Sequence, residues 1–502
     1  MSSNLKKGVL SSVLLVGESI LKKMVGLVST LILARVLLPE DFGIIAIATL
    51  VIGFIDILSN TGSNQYLLKV DHLDEKIANT AFTINLILKT FMAILMAFSS
   101  VFIADFYNDP RLVGVILSLT AIFFLNSLKN PGEAFLRRDQ NYARLVKVSV
   151  SAKIVSVAVA VTTALTLENY WALVFGQASN AILMLVGSYY VHPHRPKLTL
   201  ANASEQWQFS GWIIPQSIFG YVRTQLDSFI VSTNFGQSQL GSYHTMKYLA
   251  FIPSAHILLP VIQPFLVELR KTKDAPNYFA KQFNASFIIT MLLALPLVCV
   301  MFFHHESVTA VLLGPNWIQY SHLLGAFSLL IPAFVMLNQG TRVLIIYGKT
   351  KHIFIYEIIA FTVLYSSLFS VGFDDIALFT YVRVAIENLV CIVFLIYVLL
   401  KYTTIKNALS LLSAFIPLGT AAYGAIIASS YVSHWVSHWV SNVFLDLVIV
   451  SVTTFFVFYT LVLVFHMALY KRLQEWQYLE GLVLRILGPL TKRLAKSKEA
   501  YK

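Results

Sequence analysis

Long apolar runs recur along the whole chain, and they constrain its fold more than any other feature. Examples are residues 80–104, 148–165, 283–303 and 377–400. Because an α-helix rises about 1.5 Å per residue, about 20 such residues cross a hydrocarbon core about 30 Å thick. Only 12% of the residues are charged and 57% are hydrophobic, whereas a soluble domain has about 25% charged residues. We therefore predict an all-α polytopic membrane protein.

The apolar pattern predicts about fourteen spans, with a marked charge difference between alternate connections. The spans cover residues 11–36, 43–68, 80–104, 112–130, 145–166, 170–191, 209–234, 241–266, 283–303, 321–347, 352–372, 376–400, 407–431 and 442–470. One set of connections holds nearly all the loop lysines and arginines, and the other holds only Arg111. The positive-inside rule then places the cation-rich set and both termini in the cytoplasm. The net charge of +12 therefore indicates topology and attraction to anionic lipids rather than nucleic acid binding.

A faint internal repeat suggests how the spans are grouped. At one constant offset, Phe42 aligns with Leu240, Gly43 with Gly241 and Gln65 with Gln263. This alignment makes span seven the partner of span one, which predicts two six-helix lobes and two extra helices. The predicted parts are an N-terminal lobe (1–200), a C-terminal lobe (201–402), two additional transmembrane helices (403–470) and a basic amphipathic cytoplasmic tail (471–502). A loosely packed tail is the alternative for the last part.

Several charged residues fall inside the predicted spans, where a charge costs about 2.5–3.5 kcal/mol at the helix centre. Each therefore needs a partner, a wet cavity or a nearby interface. The candidate cavity cations are Lys22, Lys23, Arg223, Lys247, Lys89 and Arg342. The candidates for ion coupling or charge pairing are Glu18, Asp56, Asp227 and Glu387. For Lys247 and Arg342 snorkelling to an interface is an equal alternative, and Glu387 has the spacing to pair with Arg383.

Lys22 and Lys23 lie near the middle of span one, and Arg223 and Asp227 are similarly central in span seven. The two lysines lie about 18 Å from either end of the first span, beyond the reach of a snorkelling lysine. Glu18 can neutralise Lys22 from one turn away, but consecutive helical residues point about 100° apart, so Lys23 needs another polar surrounding. We predict a polar cavity with net positive charge that suits an anionic substrate, and an internal network of ion pairs is the alternative.

The stretch LILARVLLPEDFGIIAIATLVIGFIDILSNTG, residues 31–62, resembles bacterial oligosaccharide flippases. The family is the polysaccharide transporter (Wzx-type) group of the MOP exporter superfamily, and its colanic-acid-exporter-like branch is the most similar. Two further stretches carry the resemblance, EAFLRRDQNYARL at 133–145 and LLGPNW at 312–317. The resemblance implies a two-lobed transporter of the bacterial inner membrane that flips undecaprenyl-diphosphate-linked oligosaccharides by alternating access.

The resemblance also implies the partners and the function class. Membrane lipids and polysaccharide polymerase machinery are the expected partners, H⁺ or Na⁺ is the expected coupling ion, and we expect no other cofactor and no metal site. Cationic residues of the first helix bind substrate in related flippases, and that role would fall here on Lys22 and Lys23. The alternatives are a cation-coupled multidrug exporter of the same superfamily and a membrane enzyme. We expect a transporter and not an enzyme, because the predicted outer loops are short.

Overall fold

The computed structural model describes residues 3–70, 72–371, 374–403, 405–436 and 442–469. Within these ranges the chain forms helices and short connections, without strands. The predicted tail at 471–502 lies outside the described residues. The helices confirm the predicted all-α class.

The described residues of the first half of the chain form ten helices. They are α1 (Ser3–Val36), α2 (Pro39–Leu58), α3 (Ser63–Lys69), α4 (Glu75–Phe106), α5 (Arg111–Ser127), α6 (Glu133–Arg138), α7 (Ala143–Leu167), α8 (Trp171–Val191), α9 (Ala203–Asn234) and α10 (Gln237–Pro253).

The second half continues α10 through a wide turn at Ser254–Leu258 that follows Pro253. Its helices are α11 (Leu259–Lys271), α12 (Pro276–Phe303), α13 (His305–Leu312), α14 (Ser321–Ser328), α15 (Leu330–Ile346), α16 (Thr350–Val371), α17 (Ile376–Tyr402), α18 (Ile405–Val436) and α19 (Val443–Leu469). A short 3₁₀ segment, Pro315–Tyr320, precedes α14.

Eleven helical segments of the described chain are long and apolar enough to cross a membrane. Three helices at predicted span positions are not among them: α5 is apolar but shorter, and α1 and α9 carry charges within their length. The count of fourteen spans therefore stays a prediction. One predicted span, 43–68, is divided, since α2 ends at Leu58 and α3 starts at Ser63 after Gly62 takes a left-handed φ of 65°.

The chain divides into two compact units, residues 1–245 and 246–502. In the first unit α1 packs on α7, α7 on α8, α4 on α5, and α2 on both α5 and α9. In the second unit α12 packs against α15, α18 and α19, and α15 packs against α17. Here α9 belongs to the first unit, and the lobe boundaries drawn from the repeat stay a prediction.

The LPEDFG segment, Leu38–Gly43, forms a structural junction of the first unit. Pro39 opens α2, where its missing N–H is harmless. The Asp41 carboxylate accepts hydrogen bonds from Leu38 N and Tyr170 N, both at 2.9 Å, and so ties the start of α2 to the start of α8. Glu40 pairs with Arg111 at 2.5 Å. Pro39, Glu40 and Asp41 therefore each have a local capping or pairing role.

Arg111 extends this junction to α10. Its Nε lies 3.0 Å from the Asp109 carboxylate, which also accepts a hydrogen bond from Gln237 Nε2 at 2.7 Å. Burial opposes ionisation of Asp109, but the hydrogen bonds from Arg111 and Gln237 hold the pKa of this carboxyl below its ordinary value. Asp109 is therefore an anion that joins α5 to the start of α10.

The two glycines that the internal repeat aligns, Gly43 and Gly241, lie at one close crossing of α2 and α10. A Cβ at Gly43 would overlap the carbonyl oxygen of Gln237, and a Cβ at Gly241 would overlap that of Pro39. Pro39 and Gln237 are related by the same offset as the glycines. The contact is thus reciprocal, and each helix needs a residue without a side chain at this point.

Alanine at Gly43 should destabilise the folded protein. The added methyl group has no space against backbone, and overpacking of this kind costs about 1–3 kcal/mol. Thermal unfolding of the purified protein should show a lower melting temperature for Gly43→Ala than for wild type. Gly17→Ala is the matched control, because a Cβ there meets no atom within 4 Å. Equal melting temperatures for the two variants would contradict the crossing.

Candidate functional site

A polar cavity of about 650 Å³ lies inside the first unit. Residues of α2, α3, α4, α5, α6 and α8 line it, together with the connection between α5 and α6. Its charged lining residues are Asp56, Lys89, Lys129, Glu133 and Arg137. Three cations thus face two acids, and the lining carries one excess positive charge.

Lys89 and Asp56 form the central ion pair of this cavity. Lys89 Nζ donates to Asp56 Oδ1 at 2.9 Å and lies 4.7 Å from the centre of the Phe123 ring. The Lys89 side chain is 14% exposed and the Asp56 side chain 52% exposed. The lysine is therefore held between α2 and α5, whereas the carboxylate still has room for another partner.

Lys129, Glu133 and Arg137 form a second charged group where α5 leads into α6. Arg137 Nη2 lies 3.6 Å from Glu133 Oε2, an i,i+4 pair on α6. Burial lowers the pKa of Lys129, Glu133 opposes this shift, and the nearby cations Lys89 and Lys22 add to it. Burial thus disfavours the charged form of Lys129, and an anionic ligand beside it would favour that form.

Lys22 belongs to a smaller adjoining cavity of about 140 Å³. Its Nζ donates to Ser149 Oγ at 2.8 Å and to Glu18 Oε1 at 3.4 Å. Glu133 and Arg137 line both this cavity and the larger one. Lys22 is therefore neutralised by Glu18, as its spacing predicted, and also lies beside the cationic lining.

Lys23 lines neither of these two cavities. Its side chain is exposed, and it makes no hydrogen bond or ion pair with the described residues. The sequence argument placed both neighbouring lysines of α1 at one polar cavity, but the structure brings only Lys22 to one. The assignment of Lys23 to substrate stays a prediction.

Two further predicted residues of the first unit, Arg223 and Asp227, lie on α9 away from the large cavity. Asp227 is fully buried and accepts hydrogen bonds from Tyr243 Oη and Ser228 N, each at 2.8 Å. Arg223 is half-buried one turn earlier.

The other predicted residues, Lys247, Arg342 and Glu387, belong to the second unit. Arg342 is buried and donates from Nη1 to the carbonyl oxygen of Ile262 at 3.5 Å. Glu387 lies 3.5 Å from Arg383, the i,i+4 pair that the spacing allowed. Their roles in substrate binding or ion coupling stay predictions.

Sequence reasoning missed three of the charged residues that line the large cavity. Lys129 and Arg137 belong to the cation-rich connections that indicate topology, and Glu133 is not among the candidates. A signal was present, because Glu133 and Arg137 are an i,i+4 acid–base pair inside the stretch EAFLRRDQNYARL. Within the part of the chain that the structure describes, no group of three His, Cys, Asp or Glu side chains could hold a metal ion.

Comparison with known proteins adds family evidence. The family model described as polysaccharide biosynthesis protein matches residues 32–322, more than half of the chain. The succinoglycan biosynthesis transport protein ExoT of Rhizobium meliloti is 23% identical over 62% of this chain and 65% of its own length. The lipopolysaccharide biosynthesis protein WzxC of Escherichia coli is 20% identical over 63% of each chain. The chain thus spans slightly less than two thirds of these relatives' lengths.

Among solved structures, the lipid II flippase MurJ in an inward closed conformation has a similar fold. The TM-score is 0.68 with 12% sequence identity, over 92% of this chain and 100% of that one. This likeness supports the fold of a polytopic membrane protein.

Inorganic diphosphate should bind to the full-length protein through the cavity cations. Lys89→Met/Lys129→Met should weaken its affinity at least tenfold, about 1.4 kcal/mol, because two of the three cations of the lining are removed. The measurement is the rise in melting temperature on titration with diphosphate. Lys197→Met, at an exposed lysine outside the lining, is the control and should bind normally. An equal rise in the double variant and the control would contradict a role for these cations.

Proposed function

The chain belongs to the polysaccharide biosynthesis protein family, and from this premise we propose that it flips lipid-linked oligosaccharides. This membership confirms the resemblance of residues 31–62 to the polysaccharide transporter (Wzx-type) group of the MOP exporter superfamily. The substrate is an undecaprenyl-diphosphate-linked repeat unit, moved from the cytoplasmic to the outer leaflet for exopolysaccharide, capsule or O-antigen synthesis. The protein works by alternating access and performs no covalent chemistry.

The observation that carries this proposal is the cavity with Lys89, Lys129 and Arg137 in its lining. A diphosphate must leave water and headgroups to cross the bilayer, and desolvation of such an anion is costly. Cations in a low-dielectric cavity offset this cost, because each charge interaction is stronger there than in water. Arg137 can hold two phosphate oxygens at once through its planar guanidinium group, and the lysines act as point charges.

The polar head and the apolar tail of the substrate have different needs. Only the sugar and the diphosphate need a polar path, so the polyprenyl chain stays in the lipid. A cavity volume of about 650 Å³ lies within the range of about 300–1,000 Å³ usual for ligand sites. The cavity can therefore take a diphosphate with part of the attached sugar.

The remaining charges of the spans are proposed to serve the same cycle. Lys22, which adjoins the cavity, is the best placed of the other predicted cations. Lys23, Arg223, Lys247 and Arg342 are proposed to contact the head group at other stages. Coupling to H⁺ or Na⁺ would use acids inside the spans, namely Glu18, Asp56, Asp227 or Glu387. Asp227 suits this role because it is fully buried beside a hydroxyl.

The proposed location is the bacterial inner membrane with both termini in the cytoplasm. The support is the charge difference between alternate connections. Membrane lipids surround the helices, and polysaccharide polymerase machinery is the proposed downstream partner.

Topology can be tested with alkaline phosphatase fusions, since this enzyme is active only outside the cytoplasm. A fusion after Asp109 should be active, because the connection there carries Arg111 alone. A fusion after Asp139, within the cation-rich connection, should be inactive. The reverse pattern would contradict the proposed orientation.

The proposed function can be tested in a strain that lacks the gene for this protein and carries variants of it on a plasmid. The measurement is polysaccharide export. Lys89→Met/Lys129→Met should reduce export at least tenfold at equal protein abundance, because the diphosphate loses its cations, and complete lipid-linked repeat units should accumulate. Lys197→Met should export normally.

Lys22→Ala/Lys23→Ala should reduce export as well. An unchanged level of export in this variant would contradict the role of the first helix.

Drug susceptibility of the same deletion strain separates the flippase from a multidrug exporter. The flippase proposal predicts normal susceptibility, since a cavity with excess positive charge does not suit cationic drugs. Raised susceptibility with normal polysaccharide export would contradict the proposed function.

A further inference from the structure

Four side-chain amides of the large cavity, Gln65 on the short helix α3 and three on longer helices, make no hydrogen bond with the described residues. Asn85 on α4, Asn126 on α5 and Gln177 on α8 all line the cavity. None of the three makes a side-chain hydrogen bond or other polar contact with the described residues. Three neighbouring helices therefore each present an unengaged amide to one space.

Asn130, another amide of the lining, has a structural role instead. Asn130 Nδ2 donates to the carbonyl oxygens of His194 at 2.8 Å and His192 at 3.2 Å, and its Oδ1 accepts from Gly132 N at 2.9 Å. Asn130 thus uses its hydrogen-bonding capacity to hold the connection after α8. Asn85, Asn126 and Gln177 keep theirs available.

Unengaged amides in membrane helices need a reason, because an amide without a partner in an apolar medium costs several kcal/mol. Polar residues of such helices usually face an interior cavity and mark a substrate path. Water can satisfy these groups when the cavity is empty, and a ligand that replaces the water must offer equivalent hydrogen bonds.

The chemistry of the amide separates these residues from the cations of the same cavity. Each carboxamide offers two donor hydrogens and one acceptor oxygen, whereas lysine and arginine offer donors only. A diphosphate has only acceptors near neutral pH and suits the cations. A sugar hydroxyl both donates and accepts, so it can use both halves of an amide.

Aromatic rings accompany two of the three amides. Phe82 comes three residues before Asn85 on α4, and Phe123 comes three residues before Asn126 on α5. All four residues line the cavity, and α4 packs directly on α5. Residues three apart share one helix face. The rings are largely buried, 9% and 4% exposed, so they form an apolar wall beside the amides, and the C–H groups and hydroxyls of a pyranose match this combination.

We propose that Asn85, Asn126 and Gln177 form a subsite for the sugar next to the diphosphate. This inference rests on the proposed flippase function and divides its cavity in two. The cations Lys89, Lys129 and Arg137 bind the diphosphate common to all polyprenyl-linked substrates. The amides hydrogen-bond the hydroxyls of the attached sugar and so distinguish a loaded carrier lipid from an empty one.

The test compares two lipids on the full-length protein in nanodiscs. The probes are undecaprenyl diphosphate and undecaprenyl diphosphate that carries one glucose, and native mass spectrometry measures their affinities. Wild type should prefer the sugar-bearing lipid at least tenfold. Asn85→Leu/Asn126→Leu/Gln177→Leu should bind both lipids with the affinity that wild type has for the bare one. Leucine keeps most of the side-chain volume and removes the hydrogen bonds.

Two control variants separate the subsite from the rest of the cavity. Gln225→Leu replaces an amide on α9 that lies outside the large cavity, and it should keep the wild-type preference. Lys89→Met/Lys129→Met should lose at least tenfold in affinity for both lipids. An unchanged melting temperature for the triple variant would show that its fold is intact.

Three outcomes would contradict the proposed sugar subsite, and only one of them would also contradict the proposed flippase function. A preference that survives in the triple variant would mean that the amides contact only water. Equal binding of both lipids by wild type would mean that this cavity does not recognise the sugar, although the flippase proposal would stand. If wild type bound neither lipid, the proposed function would itself be contradicted.

Discussion

Hydrocarbon offers no hydrogen-bond partner, so a membrane helix that carries a charge or an amide must turn it towards protein, water or substrate. The first unit follows this constraint throughout its cavity. Lys89 on α4 meets Asp56 on α2, and Lys22 on α1 meets Glu18 and Ser149. The polar lining of the cavity and the packing of its helices thus depend on each other. The helices position the charges, and the charges keep lipid out of the space between the helices.

Leu38–Gly43 is the most recognisable part of the sequence, and its residues join helices of the first unit rather than line the large cavity. Asp41 caps α2 and joins it to the start of α8, and Glu40 forms an ion pair with Arg111. Gly43 has no side chain, so the backbone of α10 can pack closely against it. A Cβ at either Gly43 or Gly241 would collide with the other helix, which leaves little freedom for other residues at these positions. The resemblance at Leu38–Gly43 therefore rests on packing constraints, whereas the proposed substrate contacts come from residues that line the cavity, including Asp56, Glu133 and Arg137 of the same resembling stretches.

Much of the fold could be predicted from the sequence, because apolar length fixes where membrane helices can form. The predicted span 170–191 and the helix Trp171–Val191 agree closely. The break between α2 and α3 was missed, although the polar run at 59–65 interrupts the apolar pattern: α2 ends at Leu58, and Gly62, with a left-handed φ, precedes α3. The site was predicted less well. Lys89, Asp56 and the Glu18–Lys22 pair follow from charge placement and helical spacing, but Lys129, Arg137 and the three free amides depend on which helix faces meet. That information belongs to tertiary packing and not to local pattern.

The central claim is that the cavity of the first unit binds the diphosphate head of a polyprenyl-linked sugar. Its most direct test is a cryo-electron microscopy structure of the full-length protein with undecaprenyl-diphosphate-linked glucose. We expect density for the two phosphates within hydrogen-bonding distance of Lys89, Lys129 or Arg137, with the sugar towards Asn85 and Asn126. Phosphate density at a place remote from this cavity, with the cavity filled only by water, would contradict the claim.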